Sequence, residues 1–440
     1  MRRSVCVPLT LLLLILLSCI TMVCFTNAYT TVNNTISSDI TWTKAGSPYN
    51  LVASIVIPSG VTLTIEPGVV VNFGNYHITV DGVLNARGTD AEKIILQKNS
   101  SSPSKYSTSQ IRFTSISQGW NEQTQQGCII ENAVIDSVTF SIFSSVKLSK
   151  IETNTGLTIY DGSPVISNSN FNIFDSIKII AGSPAFTNNV LYGHGDSIGI
   201  HGSGNVTLSG NTIAFFTTDI SVYSGNWLIS NNDISHCNTG IELANSANVV
   251  IQKNSLHDVN VNGISGGNAL IENNTIVTSN IGINNPFADT IIRGNNIIGH
   301  FVNSITATIT DVAASNNYWG TTNLTLINQT IYDRYDDPRL GIVVFTPILD
   351  APNPEAPATF PTNFDPIGIE IPVGTPEPTP NYTPMPTVDH NIIKNNDNQD
   401  RSLLNLNALM LAAAIPLAIV WAVVLLGYRV KAKIRELRES

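Results

Sequence analysis

The chain has 440 residues, a formal net charge of −10 and only 12% charged residues. That length would hold about three ordinary domains, but an elongated repeat fold is an exception, because each repeat adds length and not girth. A basic stripe is missing, which excludes nucleic acid as an expected partner.

The first residues have the pattern of a targeting segment. Two arginines precede an apolar stretch, Leu9 to Leu17, and Thr26 to Ala28 supplies small residues for cleavage. Residues 1–28 are therefore predicted to be a signal peptide, with the bulk of the chain outside the cell. An uncleaved anchor and a lipoprotein signal at Cys19 are the alternatives.

Residues 51–350 contain a repeat of about 21 residues, which two independent sets of positions define. A polar position, nearly always Asn, recurs at steps of 20 to 22 residues. Its members are Ser169, Asn189, Asn211, Asn232, Asn254, Asn274, Asn295 and Asn317. An apolar position keeps the same period at Leu157, Ile177, Ile198, Ile220, Ile241, Ile264, Ile283 and Ile305.

Each repeat contains three short apolar runs separated by polar turns. Runs of three to four residues fit strands and are too short for helices, so one repeat is predicted to form one coil of an all-β, right-handed parallel β-helix. The recurring Asn is predicted to lie at a turn, where its amide can bond the Asn of the next coil. A leucine-rich repeat shares the length but needs a leucine frame that is missing.

The segment 29–50 is predicted to lead into the β-helix and to cap its open end, because an uncapped solenoid exposes a sheet edge. Trp42, Pro48 and Tyr49 are the cap candidates. Outside the signal segment the chain has two cysteines, Cys128 and Cys237, which lie about five coils apart. That separation excludes a disulfide between them.

The C-terminal quarter is predicted to attach the β-helix to a membrane. Residues 351–402 are rich in proline and suit an extended stalk. Residues 403–428 contain 19 uncharged residues from Ala408 to Leu426, about the length of a transmembrane helix. The tail 429–440 is basic and is therefore expected in the cytoplasm. A buried soluble helix is the alternative for the apolar stretch.

Asn-X-Ser/Thr sequons mark possible sites of N-glycosylation in a secreted chain. The sequon at Asn273 falls near the Asn turn, where a glycan would be crowded. The remaining sequons are at Asn33, Asn99, Asn205, Asn323, Asn328 and Asn381.

The Asn-Asn-x-Ile coils resemble the parallel β-helix repeats of secreted bacterial and archaeal proteins, including the NosD-like and pectate-lyase-like types. The start, with Gly60 to Val69 and Val80 to Thr89, and the ending, with Asn317-Tyr-Trp-Gly320, are also similar to those proteins. The resemblance covers roughly residues 36–350 and implies a cell-surface setting. It implies no single activity, because one solenoid hosts unrelated functions.

Many parallel β-helices cleave polysaccharides, and a glycosidase needs two carboxylates beside the scissile bond. Gly193-His194-Gly195 is similar to a polygalacturonase motif, but its companion motifs are missing, and a turn explains it equally well. Asp196 and Asp219 are about one coil apart and are the remaining catalytic candidates, together with His194. Surface turns are the alternative interpretation for both aspartates.

Several histidines follow the Asn turn. His236 and His257 are 21 residues apart, next to Asp258, so adjacent coils could bring two imidazoles to a metal ion. The spacing from Asn to His varies, however, and solvated turn residues are the simpler interpretation for these histidines and for His300. No cofactor is expected.

These observations favour a membrane-anchored cell-surface protein for adhesion, envelope structure or glycan binding. Its expected partners are the membrane, polysaccharide and other surface proteins. A membrane-tethered polysaccharide lyase or hydrolase is the alternative, and a NosD-like factor for maturation of a metal site is the second alternative.

Overall fold

The computed structural model describes residues 29–33, 35–98 and 109–358, and these residues form a parallel β-helix. Each coil contributes up to three strands, and each strand pairs in parallel with its counterparts in the neighbouring coils. The prediction of an all-β, right-handed parallel β-helix is confirmed. The three stacks of strands are denoted the first, second and third columns, in the order in which the chain visits them.

Thirteen strands of the described chain lie in the first column, and five longer strands pass through two columns. The first column consists of Ile55–Ile57, His77–Val80, Ser109–Phe113, Val138–Ile142, Leu157–Ile159, Ile177–Ile179, Ile198–Gly202, Ile281–Asn284, Asn303–Thr306 and Ile331–Tyr332, with the first parts of Thr218–Ser230, Thr239–Gln252 and Asn262–Glu272. The second column consists of Ile40–Trp42, Thr62–Ile65, Val83–Arg87, Val165–Ser167, Ala185–Thr187, Asn205–Ser209, Ile291–Arg293, Val312–Ala313 and Val343–Val344, with parts of the five longer strands.

The third column carries the candidate site on its outer edge. It consists of Thr30–Val32, Tyr49–Leu51, Val70–Asn72, Ile94–Gln97, Asn170–Asn172, Val190–Tyr192, Thr212–Ala214, Asp233–Ser235, Ser255–His257, Thr275–Val277 and Asn296–Ile298, with the second parts of Ile129–Asp136 and Lys147–Thr153. Two short helices complete the described elements, the 3-10 helix Lys44–Gly46 and the α-helix Leu324–Asn328.

Branched apolar side chains stack inside the coils. Along the first column Ile220, Ile241 and Ile264 are aligned in register and fully buried. Burial of such a side chain is worth roughly 2 kcal/mol relative to exposure. The predicted apolar series is wrong at one position. Ile177 pairs with Ile200 and not with Ile198, because the turn before this strand is longer.

The Asn-Asn pairs form the turn between the second and third columns. The first residue of each pair has a left-handed backbone, as at Asn188 and Asn231, with φ of 53° and 55°. Asn tolerates that conformation better than most residues, and Gly210 and Gly294 occupy it in other coils with φ of 68° and 67°. The second residue, such as Asn232, is buried. The turn conformation and the buried stack therefore belong to different residues.

The second Asn of each pair stacks on its counterpart in the next coil. Asn211 Nδ2 donates to Asn232 Oδ1 at 2.9 Å and to the Phe186 carbonyl at 3.0 Å. Equivalent bonds link the whole predicted set. The set runs from Ser169 through Asn189, Asn211, Asn232, Asn254, Asn274 and Asn295 to Asn317.

The N-terminal end of the β-helix is closed by aromatic packing. Trp42 and Tyr49 are buried and stack with ring centroids 4.7 Å apart. The strand Thr30–Val32 already pairs with Tyr49–Leu51, so the β-helix begins within the segment 29–50, ahead of the predicted start at residue 51.

The described beginning of the predicted stalk, residues 351–358, lies against the β-helix. Asn353 donates from its backbone nitrogen to Asn296 Oδ1 at 2.7 Å, and Glu355 lies 3.3 Å from Lys253. These contacts place the segment on the outer face of the third column. The prediction that an extended stalk begins at residue 351 is therefore wrong for residues 351–358.

Several predicted segments fall outside the described residues. They are the signal peptide 1–28, the rest of the stalk, the membrane segment 403–428, the tail 429–440 and the sequons at Asn99 and Asn381. Within the ranges given above, no helix has the length and apolar character needed to cross a bilayer. Cys128 and Cys237 are both free and buried, and burial raises the pKa of the Cys128 thiol to about 11.

Candidate functional site

The structure separates the two predicted catalytic carboxylates. Asp196 is exposed in the turn after the third column, whereas Asp219 is completely buried within the first column. The backbone beside Asp219 in the preceding coil is that of Gly199, three residues after Asp196. Asp196 and Asp219 therefore do not lie on either side of a site for one glycosidic bond.

Asp219 is not a surface residue, so the turn interpretation for it is wrong. The two following coils have Gly240 and Gly263 at the same position, and a Cβ there would lie close to neighbouring backbone and side-chain atoms. The Cys237 thiol and backbone groups of Phe216 and Ser235 lie near the carboxyl oxygens, but none of them makes a hydrogen bond of normal geometry to them. Burial raises the pKa of Asp219 well above its usual range, although the Cys237 thiol and nearby backbone groups act in the opposite direction.

The structure brings His257 and Asp258 together with a third residue, Asp233. His257 Nε2 lies 2.8 Å from Asp233 Oδ1, and Nδ1 lies 2.9 Å from Asp258 Oδ2. Burial lowers the pKa of His257, but the two carboxylates outweigh it, and the net effect raises the pKa. A solvated turn is therefore the wrong interpretation for His257, whose side chain is 9% exposed.

The arrangement of these histidines does not form a metal site. His236 and His257 approach edge to face, with ring centroids 6.3 Å apart. Both ring nitrogens of His257 are already bonded to carboxylates. Across the described residues, no group of three His, Cys, Asp or Glu side chains has a geometry that could hold a metal ion.

Aromatic and histidine rings form a continuous row at the edge of the third column, here named the aromatic ridge. His194 stacks on Phe174 at 3.8 Å and meets Tyr192 edge to face at 5.6 Å. Phe215 lies 4.6 Å from Tyr192 and 4.7 Å from His236. The ridge therefore crosses four successive coils, and Phe174 at its end is 74% exposed.

The backbone holds part of the ridge in an unusual conformation. Phe215 and His236 have φ of 66° and 56°, in the left-handed region that a bulky residue seldom adopts. A ring at such a position costs roughly 1 to 2 kcal/mol relative to Gly. Strained residues of this kind cluster at functional sites, so the ridge is a candidate for function.

Two open grooves run beside the ridge and share Phe215, His236 and Asn260. One has a volume of about 310 Å³ and extends towards His194. The other has a volume of about 620 Å³ and extends to Phe301, which is 77% exposed. Together they are named the ridge groove. Its size is in the range of small-molecule sites.

Amide side chains also line the ridge groove. Asn260 Nδ2 donates to Asn238 Oδ1 at 3.2 Å, one coil away, and Asn280 follows in the next coil. Rings that offer apolar faces and amides that offer donors and acceptors suit a ligand with both apolar C–H faces and hydroxyl groups.

The sequence analysis did not identify the ridge, nor Phe174 and Phe301 beside it. The signal was present, because Phe174, His194, Phe215 and His236 follow one another at steps of 20, 21 and 21 residues. Phe216 and Trp227, by contrast, are core residues.

The described sequons lie on different parts of the surface. Asn33, Asn205, Asn323 and Asn328 are exposed. Asn323 caps the helix Leu324–Asn328 by accepting from two backbone nitrogens. The Oδ1 of Asn273 accepts from Asn353 Nδ2 at 2.9 Å, which crowds that sequon.

Comparison with known proteins gives one family model that agrees with this fold. A family model described as a right-handed β-helix region matches residues 175–331, about a third of the chain. A solved structure of a mutant of the periplasmic alginate epimerase AlgG is similar at 10% sequence identity with a TM-score of 0.38, covering 67% of this chain and 76% of that one. No curated protein matches the sequence significantly. Residues 175–331, which include the ridge groove, thus carry a right-handed β-helix region.

Proposed function

We propose that this protein binds a polysaccharide along the ridge groove and displays that site outside the cell. The observation that carries the proposal is the row of stacked rings beside two connected grooves. Coils repeat at roughly 4.8 Å, close to the length of one sugar unit, so successive coils can present similar contacts to successive sugars. Exposed apolar surface in one continuous row is typical of a binding site.

Binding without cleavage is supported by the state of the acidic groups. Asp219 is buried, and the residue aligned with it in the preceding coil is three positions after Asp196. Asp233 and Asp258 both bind His257. His257 has no free ring nitrogen with which to accept a proton from a ligand. Metal-site maturation has less support, because the same contacts occupy the nitrogens that a metal would need.

Display at the membrane rests on the sequence at the two ends of the chain. The apolar segment 403–428 with its basic tail supports a single span, and residues 1–28 support export. Adhesion and envelope structure fit the same placement, and a glycan-binding groove gives both a physical basis. Protease protection in intact cells tests the topology, because an exported β-helix is digested while the tail 429–440 is protected.

Binding is tested with the purified full-length chain on a panel of acidic and neutral polysaccharides, with ultraviolet absorbance followed for unsaturated products. Phe174→Ala and Phe301→Ala are each expected to weaken binding about threefold to tenfold, since one aromatic contact is worth roughly 0.5 to 1.5 kcal/mol. Tyr335→Ala is the matched control, because Tyr335 is 78% exposed but lies outside the groove.

Equal affinity of the Phe174 variant, the Phe301 variant and the control would place binding away from the ridge and its groove. Release of unsaturated products would show that the protein is a lyase. Absence of binding to every polysaccharide would overturn the proposal.

A further inference from the structure

The wall of the larger part of the ridge groove carries a fixed negative charge. Asp258 lines the groove, and its Oδ2 is bonded to His257. The opposite nitrogen of the same imidazole is bonded to Asp233. Both ring nitrogens must carry hydrogens to donate to two carboxylates, so His257 is an imidazolium. One positive charge between two negative charges leaves the cluster with one net negative charge.

The position of this charge is fixed by the backbone. Asp258 has a left-handed φ of 53°, and its N–H donates to Thr278 Oγ1 at 2.9 Å in the next coil. Its carbonyl accepts from the backbone nitrogen of His236, at 3.1 Å. These bonds tie the backbone of Asp258 to the coils on both sides, and the bond from Oδ2 to His257 Nδ1 orients its carboxylate.

No Lys or Arg is among the described residues that line this part of the groove with Asp258. Its other polar groups are the Thr278 hydroxyl, the Asn260 and Asn280 amides and the His236 imidazole. Such groups can bond sugar hydroxyls as donors or acceptors. A carboxylate or sulfate group on the ligand would instead meet Asp258 as a like charge, which disfavours binding.

We infer that the ridge groove selects polysaccharides without acid groups and that Asp258 determines this specificity, with His257 as its positioning residue. The inference rests on the proposed function and deepens it. The ligand is accordingly a neutral glycan, and uronate and sulfated polymers are excluded by charge and not by shape.

The test uses polymers that share a backbone and differ in charge, with the full-length chain. Hydroxyethyl cellulose is compared with carboxymethyl cellulose, and methyl-esterified polygalacturonate with its de-esterified form. At low salt the neutral member of a bound pair is expected to bind at least about fivefold more tightly. The difference is expected to shrink at high salt, because ions screen exposed charges.

The variant Asp258→Asn removes the charge and keeps a residue that tolerates the left-handed backbone. We expect it to tighten binding of the anionic polymer about fivefold and to leave the neutral polymer within twofold. Glu242→Gln is the matched control, because it removes one negative charge from an exposed residue of the first column, outside the groove. It should change neither affinity.

Each outcome has a distinct meaning. If the wild-type chain binds the anionic member equally well or better at low salt, the charge selection is overturned while polysaccharide binding stands. If no polymer of any kind is bound, the proposed function itself fails. The wild-type comparison needs no substitution, so it decides the inference even if Asp258→Asn does not fold.

Discussion

Asn232 and Asn254 are joined by two hydrogen bonds to a single oxygen. The backbone nitrogen and Nδ2 of Asn232 both donate to Asn254 Oδ1 at 2.9 Å, and Asn232 Nδ2 also donates to the Leu208 carbonyl at 3.0 Å. Asn211 makes the same two bonds to Asn232 Oδ1. The buried Asn232 amide thus satisfies two backbone groups of the preceding coil, the Leu208 carbonyl and the Asn211 nitrogen, at a turn between strands.

Asn232→Ala should therefore destabilise the β-helix strongly. The change leaves the Leu208 carbonyl and the backbone nitrogen of Asn211 without these partners and removes one of the two bonds of Asn211 Nδ2. Each buried unpaired group costs roughly 1 to 3 kcal/mol. We expect a loss of about 3 kcal/mol or more in the free energy of unfolding, measured by urea denaturation. Asn226→Ala is the control, because Asn226 belongs to an exposed stack and should cost less than about 0.5 kcal/mol.

Phe215→Asn should separate function from stability. Asn relieves the left-handed backbone strain of a bulky residue, worth roughly 1 to 2 kcal/mol, but loses the ring contacts with Tyr192 and His236. The two effects nearly cancel, so the midpoint of unfolding should shift little. Polysaccharide affinity should fall about threefold to tenfold. A variant that loses stability and binding together would show that Phe215 is only structural.

Much of the fold was predictable because two independent sets of positions show the same repeat. The period of the Asn set and of the apolar set defines coils and columns without any long-range information. The exact partner of Ile177 was not predictable, because a lengthened turn shifted the register and only packing decides which Ile enters the core. The contact of residues 351–358 with the third column was also hidden, since a proline-rich stretch has the same composition whether it is docked or free.

The candidate site was less predictable than the fold, for a physical reason. A catalytic motif is recognised from neighbouring residues in the sequence. The ridge is instead formed by rings that lie one coil apart and stack, those of Phe174, His194, Phe215 and His236. The burial of Asp219 could not be read from its type, because aspartate is almost never fully buried without a partner. His257 and Asp233 lie on adjacent coils, and their contact depends on the register between the two strands.

The contribution of His257 to stability should be greatest at low pH. Its folded pKa is raised above the unfolded value of about 6.5, so the stabilisation is fully present below that pH and is lost as the pH rises through the folded pKa. His257→Gln should therefore cost roughly 1 kcal/mol or more at pH about 5.5 and less at pH about 9. His194→Gln, at an exposed ridge position, is the control and should cost less than about 0.5 kcal/mol at either pH. An equal cost of His257→Gln at both pH values would contradict the ionic arrangement.

His300 should make the protein sensitive to acid in the opposite sense. Burial lowers its pKa to about 4, and the unfolded chain therefore binds a proton between pH about 6.5 and 4 that the folded chain does not. Stability is lost as the pH falls through that window, by about 3 kcal/mol at pH about 4. His300→Gln should reduce this loss while leaving the bond to Ser279 possible, which is 2.8 Å long in the wild type. Denaturation curves at several pH values measure the free energy of unfolding. If the variant loses as much stability in acid as the wild type, His300 is not the source of that loss.

Asp219→Asn should stabilise the protein at neutral pH. The folded pKa of Asp219 is raised by burial, so its contribution to stability is present below the unfolded pKa of about 3.9 and is lost as the pH rises through the folded pKa. Asn has the same shape and no charge to desolvate, and we expect a gain of at least about 1 kcal/mol at pH about 7. Asp196→Asn, in an exposed turn, should change stability by less than about 0.5 kcal/mol. Because Asp219 has no access to the groove, polysaccharide affinity should be the same in Asp219→Asn and the wild type. A loss of binding or of product formation in this variant would instead return Asp219 to an active site.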